Sequence, residues 1–495
     1  MTRRHAAAML AAVALAAAGC DGDDENATPD QAAGFVPADA AAYVHLSTDR
    51  DGKQWRRAGD AVGRLPALES LVERLTDQLS ESEGVEVRRD VLPWLGDEAA
   101  SVFVPGAGET PALRRYSVLA AGNRGGADRF VARVGPATKR VAGAQLHGTG
   151  NVAAASTDGF VVLGPPDLVS RALAAHARPQ SSLLRERRYR DELGRLPARR
   201  LAHVYISPVG ARTPDAEGSG PLERAGLTEA AASLSVEGDQ ARIALRTRHA
   251  ARPRGCAAKN APLRLLDSVP ERAVGYIGAP SLSCALEAAG LEGLGRLGEE
   301  ARRAGVDIAR DVMPLLQGEG ALTTTTGRDT PALTLLVDRV AQGRALEVLG
   351  RLQPALVRLF DTPALDQVPD FAARRIAGVS VRTAQVGPEL ELSYAAFDGR
   401  LALSTQPGGI AAVRGEGGLE SSDAFRDVLP DRPERPSALV FLDLDRLLAL
   451  GEQVGLDEDP TYLTVRDDLQ KLGAVGAFLS REGEHTTAEL RFNIP

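Results

Sequence analysis

Apolar residues recur along the chain in two alternating rhythms. Near the N-terminus Ala42, Val44 and Leu46 fall on one side of a two-residue alternation, the mark of a half-buried strand. The steps then widen to three and four residues through Trp55, Ala58, Val62, Leu65, Leu68, Leu71, Leu75 and Leu79. That is an amphipathic helix, which Pro66 divides or kinks. Two-residue alternation returns at 100–104 and 116–120, a short helix is predicted to end at Val134, and strands follow at 151–156 and 160–164. Asp158-Gly159 between those last two is a strong hairpin signal, because both turn positions need positive φ. Pro166 opens a helix through Leu168, Val169, Ala172 and Leu173, and a second helix is predicted over 182–194. His203 to Ile206 reads as a strand, and Ser233 to Arg248 as a hairpin around Gly238-Asp239. In its second arm Ile243, Leu245 and Thr247 face one way, and Arg242, Arg246 and Arg248 the other.

The whole pattern is then repeated. Asp90-Val91-Leu92-Pro93-Trp94-Leu95-Gly96-Asp97-Glu98-Ala99 returns as Asp311-Val312-Met313-Pro314-Leu315-Leu316-Gln317-Gly318-Glu319-Gly320. Asp398-Gly399 repeats Asp158-Gly159, Phe425-Arg426-Asp427 repeats Tyr189-Arg190-Asp191, and Leu439 to Leu442 repeats His203 to Ile206. Matched landmarks stay 221 to 245 residues apart. Short hairpin strands with interspersed helices predict an α+β fold of two tandem homologous repeats. Each is expected to be a largely antiparallel sheet with helices packed on one face. In the recurring stretch Asp90 is read as capping a short helical turn, Pro93 as tolerated in it and Gly96 as stopping it, with Trp94 pointing into the core. The exchange of Trp94 for Leu315 makes packing, not recognition, the expected role.

At 495 residues the chain has room for about two to four domains of ordinary size. A hydrophobic fraction of 44% and a charged fraction of 25% describe a globular protein, not a disordered one. Aromatics are only 4%, too few for platforms that stack sugars or bases. The net charge of −8 becomes −10 once Arg3 and Arg4 are removed with the leader, so nucleic acid is excluded as a bulk partner.

Arg3, Arg4 and His5 precede an apolar run over Ala6 to Ala18, too short to span a bilayer but suited to a secretory signal. It ends Leu15-Ala16-Ala17-Ala18-Gly19-Cys20, which resembles the lipobox of bacterial lipoproteins. The resemblance implies lipidation of Cys20, a thioether-linked lipid with palmitate-type acyl chains, and cleavage before it. Asp21 to Asn26 then reads as a solvated acidic tether. The expected divisions are a signal peptide over 1–19, a flexible tether over 20–34, repeat 1 over 35–250, a linker over 251–264 and repeat 2 over 265–495. The expected location is the outer face of the cytoplasmic membrane, held there by the lipid.

Two features carry a wider resemblance: Val36-Pro37-Ala38-Asp39 leading into Ala42-Tyr43-Val44, and the Asp90 to Ala99 stretch followed by strands. With the lipobox and the duplication, the chain resembles exported proteins of domain-of-unknown-function family 3352. That implies location and architecture, and carries no catalytic residues across.

No complete catalytic set stands in the sequence. The histidines are scattered, with no His-Glu-x-x-His, no Cys-x-x-Cys and no Gly-x-Ser-x-Gly. His45 and His203 read as ordinary strand residues. Gly293 to Gly298 has Gly-x-Gly-x-x-Gly spacing but no strand leading into it. Asp443 and Asp445 resemble a metal pair, but Asp445 reads better as a helix cap. No metal and no cofactor are expected. Cys256 and Cys284, about 27 residues apart across the linker, are candidates for a disulfide, which in the chain-entropy model stabilises by roughly 3 kcal/mol. The leading expectation is a non-enzymatic binding or scaffold lipoprotein of the cell envelope, with an envelope protein or apolar ligand as partner. A solute-binding lipoprotein of a transporter and an extracytoplasmic hydrolase are the alternatives.

Overall fold

The computed structural model describes residues 30–49, 52, 54–57, 59, 86–106, 113–213, 221–250, 260–291, 295–326, 330–359, 369–415, 417–453 and 455–494. Cys20, Cys256 and most of the predicted helix through Leu79 lie outside them. The chain forms two compact units. Unit 1 is Met1–Arg252 with Glu484–Glu489 and Ile494; unit 2 is Pro253–Gly483 with Leu490–Asn493 and Pro495. Both are α+β with antiparallel strand pairing.

Unit 1 contains β1 (Ala42–Ser47), β2 (Leu95–Pro105), β3 (Leu113–Ala121), β4 (Ala137–Val141), β5 (Ala144–Thr149), β6 (Val152–Thr157), β7 (Phe160–Gly164), β8 (Ala202–Ile206), β9 (Leu227–Glu237) and β10 (Gln240–His249). Their pairings give the order β4-β5-β6-β7-β3-β2-β1-β8-β9-β10. Strand β1 therefore lies in the middle of the sheet, and all six of its residues are buried.

Unit 2 contains β11 (Ala273–Ala279), β12 (Gly320–Thr325), β13 (Ala332–Val337), β14 (Ala372–Ile376), β15 (Val379–Gly387), β16 (Leu390–Phe397), β17 (Arg400–Ser404), β18 (Ala438–Asp443) and β19 (Ala474–Glu482). Their order is β14-β15-β16-β17-β13-β12-β11-β18-β19. The last strand, β20 (His485–Asn493), pairs with β19.

Helices cover both faces of each sheet, where the sequence predicted one. In unit 1 helix α1 (Arg124–Val134) sets Ala127, Phe130 and Val131 against Trp94, Val161 and Leu163 on one face. Helices α2 (Pro166–His176) and α3 (Arg187–Leu193) pack with Tyr43, Val118 and Val162 on the other. Unit 2 repeats the arrangement: helix α4 (Gln342–Arg358) packs with Val337, Tyr394 and Leu401, while Phe425, Leu439 and Phe441 form a separate core. Neighbouring strand residues point to opposite faces, and here both faces are apolar, so both need cover.

The Asp-Gly turns form as predicted, with φ of 47° and 80° at Asp158-Gly159 and 49° and 72° at Asp398-Gly399. The β4–β5 and β14–β15 hairpins were not predicted. They turn on Ala142-Gly143 and Ala377-Gly378, again with two positive φ values, but without the Asn or Asp that signals such a turn. In the β9–β10 hairpin it is the arginine face that is buried: Arg246 is 5% exposed, whereas Ile243 and Leu245 are 39% and 37% exposed.

The recurring stretch is a corner into the sheet. Val87–Val91 and Ile308–Val312 each form a five-residue helical turn, and Asp90 and Asp311 each accept a hydrogen bond from the backbone N–H four residues earlier. Pro93 and Pro314 are exposed, while Trp94 and Leu315 are buried at matching positions. Gly96 does not stop the turn: it lies within β2, where a Cβ would meet the Gly122 nitrogen at 2.8 Å. Its role is the close approach of two backbones.

A candidate site at the centre of the first sheet

The expected tether runs into the core of unit 1 instead of staying solvated to residue 34. Gln31–Phe35 is a 3-10 turn with Ala32, Ala33 and Phe35 buried, and Asp30 is its N-cap residue. Glu98, from the recurring stretch, is buried and accepts a hydrogen bond from the Ala32 N–H at 3.0 Å. Glu319 does the same in unit 2, accepting from the Arg264 and Leu265 N–H groups at 2.8 and 2.7 Å. The recurring glutamate is thus a fixed acceptor for the free N–H groups of a helical turn.

In unit 1 that corner leads to a buried polar cluster. His45 on β1 and His203 on β8 are direct cross-strand partners. Their rings stack at 4.7 Å with planes 23° apart, and both residues are almost wholly buried. His45 Nε2 lies 3.3 Å from Glu98 Oε2. The Asp30 carboxylate accepts from the Tyr43 hydroxyl at 2.7 Å and from the Tyr189 hydroxyl, and lies 3.7 Å from His203 Nε2. Tyr189 also sits 2.9 Å from His203 Nε2. Since the Tyr189 proton goes to Asp30, His203 Nε2 carries the N–H, and His45 Nε2 likewise donates to Glu98. The Nδ1 atom of each ring has no partner among the described residues. The hydroxyl of Ser233, the cross-strand neighbour of His203 on β9, is also unsatisfied.

Burial dominates the electrostatics. It pushes the Asp30 carboxyl above its ordinary range, against the pull of His45 and of both tyrosines. It holds His203 well below the usual histidine range, with His45 and Arg200 adding to the effect. Tyr43 and Tyr189 are pushed well up by burial and then by Asp30. Glu98 is also opposed by burial, but its bonds to His45 and the Ala32 and Gln31 N–H groups outweigh it, and its carboxyl is held down.

Asp30, His45 and His203 each place one ligand atom within 4.8 Å of the other two. Two imidazoles and a carboxylate are a recognised set for zinc and other first-row divalent ions. The stacked rings qualify this: an imidazole binds an ion near its own plane, and two nearly parallel planes do not meet at one ion. Binding therefore needs one ring to turn about its Cβ–Cγ bond.

The same place in unit 2 lacks the imidazoles and the carboxylate of Asp30, and keeps the buried Tyr276 hydroxyl, which has no partner among the described residues. Gly278 pairs with Leu439 as His45 pairs with His203, and Tyr276 with Phe441 as Tyr43 with Tyr205. Leu263 is the N-cap residue of its turn, as Asp30 is of its own, and Phe425 stands where the sequence match places Tyr189. Leu263, Leu439, Phe425 and Phe441 belong to one core cluster. Sequence reading missed the site because its members are far apart in the chain; the signal lay in the exchange of His45, Tyr189 and His203 for apolar residues at matched positions.

Other sequence candidates fall elsewhere. Asp443, not Asp445, caps helix Leu444–Gln453, accepting from the Arg446 N–H at 3.0 Å. Asp443 is already in the preceding strand and its side chain folds back over the helix start, whereas Asp445 is inside the first turn. Asp459 caps Pro460–Leu469. Gly295 and Gly298 lie in helix Gly295–Arg303, while Gly293 is outside the described residues. Cys284 sits in the first turn of Leu282–Ala288, its N–H on the Ser281 hydroxyl. A hollow of about 210 Å³ in unit 2 is lined by Arg264, Glu319, Asp338 and Arg339, but Glu319 is committed to the backbone there.

No described helix is long and apolar enough to cross a membrane. No match was found among curated proteins. Among solved structures the chain is similar to crystal forms I and III of TP0453, at 11% identity and TM-scores of 0.27 and 0.28. These matches cover 45% and 46% of this chain and 80% and 82% of the other. The model of the family described as protein of unknown function, DUF3352, matches residues 5–473, and the chain belongs to that family.

Proposed function

We propose that this protein is an exported lipoprotein, tied by a lipid on Cys20 to the outer face of the cytoplasmic membrane, and that it acts there as a non-enzymatic binding or scaffold protein. The observation that carries the reading is the junction of leader and fold. Ten residues after the lipobox cysteine, Asp30 is gripped by Tyr43 and Tyr189 at the centre of the first sheet. Ten extended residues reach about 35 Å at most, so the body is held close to the bilayer. A short leash fixed in a rigid sheet suits a protein that presents a surface to an envelope partner.

The chain is, on this reading, a tandem duplication. The shared order of nine strands, the paired Asp-Gly and Ala-Gly turns and the two glutamate caps support it. Cys256 and Cys284 form a disulfide in the oxidising compartment.

The test is fractionation with mass analysis. Wild-type protein is expected with the membranes, its N-terminal peptide beginning at a lipid-modified Cys20; Cys20→Ala is expected in the soluble fraction. An unmodified Cys20 in soluble wild-type protein overturns the reading. Non-reducing peptide mapping checks the Cys256–Cys284 link.

A further inference from the structure

We propose that Asp30, His45 and His203 form a binding site for one divalent first-row transition ion, with zinc the best match, that locks the N-terminal segment onto the first sheet. Three independent observations carry it. The ligand atoms already converge, within 4.8 Å of each other. The surroundings are those of a metal site's outer shell: Glu98 accepts from one imidazole, and two tyrosine hydroxyls hold the carboxylate. Both rings keep a buried nitrogen that no described residue satisfies.

The comparison with unit 2 argues against the alternative that the cluster is needed for the fold. The same strand pair closes there over Leu439 and Phe441, with Leu263 at the N-cap position of the turn. Apolar residues pack this position without the cost of burying a carboxylate and two imidazoles. The polar set is therefore specific to unit 1 and calls for a ligand that repays its burial. An ion joining Asp30 to both strands would tie the segment that follows Cys20 to the two central strands. Binding requires one of the two rings to turn out of the stack.

The test uses the full chain in detergent, freed of metal by chelator, then titrated with Zn²⁺ and separately with Co²⁺. The expected result is one ion per chain, with Co²⁺ giving visible bands of a low-coordinate nitrogen and oxygen site and no thiolate charge-transfer band. His203→Leu, which copies unit 2, is expected to fold and to weaken Zn²⁺ binding at least 100-fold; Asp30→Asn weakens it less. Hydrogen exchange over residues 30–36 is expected to slow when Zn²⁺ is added to wild-type protein and not to His203→Leu. No uptake by the wild-type chain, or uptake unchanged in a folded His203→Leu, overturns the proposal and leaves a stacked pair that binds no ion. These readouts do not depend on the lipid, so a failure of the anchoring reading is seen separately in fractionation.

Discussion

The two strand pairs at the sheet centres solve one packing problem in opposite ways. Between β1 and β8 the facing residues are His45 and His203, ringed by Asp30, Tyr43, Glu98 and Tyr189. Between β11 and β18 they are Gly278 and Leu439, with the Tyr276 ring turned over the glycine. Both contain a buried glutamate that holds a helical turn, so that feature belongs to the architecture. The imidazoles and Asp30 occur on one side alone, and so does the cost of burying them. The difference separates what the fold requires from what has been added to it.

The corners offer the hardest test of the shared part. Trp94→Ala removes a buried ring that packs on Phe130 at 5.2 Å and donates to the Asp90 carbonyl. It is expected to cost about 3–5 kcal/mol in denaturant unfolding. Trp94→Leu, which copies Leu315, is expected to cost roughly half as much; equal losses would mean that the corners are not equivalent. Glu319→Ala strands two backbone N–H groups and is expected to cost about 3 kcal/mol. Glu98→Ala, which also deprives His45 of its acceptor, should fall within about 1 kcal/mol of it.

The divergent part can be tested by transplantation. Asp30→Leu alone is expected to destabilise by about 1–3 kcal/mol, because Tyr43 and Tyr189 lose their acceptor. The triple change Asp30→Leu, Tyr189→Phe, His203→Leu removes the Tyr189 part of that loss and leaves Tyr43 with an unsatisfied hydroxyl, as Tyr276 has in unit 2. It is expected to be about 1–4 kcal/mol more stable than Asp30→Leu alone in metal-free protein. A triple variant weaker than Asp30→Leu alone would show that the polar cluster supports the fold after all.

The smallest effect is acid lability at the corner carboxylates. The hydrogen bond from Arg310, followed by the Asp307 N–H, holds the Asp311 carboxyl down to about 2. A depressed carboxyl stabilises above its ordinary value near 3.8 and loses that contribution as pH falls toward 2. Asp311→Asn should flatten the acid limb of unit 2 between about pH 4 and 2, followed by resonances of that unit. Asp90, also held down chiefly by Arg89, gives a parallel case in unit 1.

Much of the fold was legible because it is local. Asp-Gly turns, the alternation in β2 and β3 and the recurring stretch all act within a few residues. The missed hairpins turn on Ala-Gly, and β4 is largely exposed, so it carries no alternation. Ile243 and Leu245 looked like a core face; Arg246 takes that place because Glu192 pairs with it at 2.7 Å. The metal candidate was not legible, since 158 residues separate His45 from His203 and only the sheet order makes them neighbours.

That order also governs how the chain can be delivered. Strand β1 emerges early, yet one of its partners is β2, and the other, β8, ends at Ile206. On the proposed export route, a chain threaded N-terminus first cannot flank β1 on both sides until β8 has passed, nor complete its first sheet until β10 ends at His249. Unit 2 repeats the delay, because β11 waits for β18. On that proposed route this topology keeps each half open during passage and lets it close only on the far side.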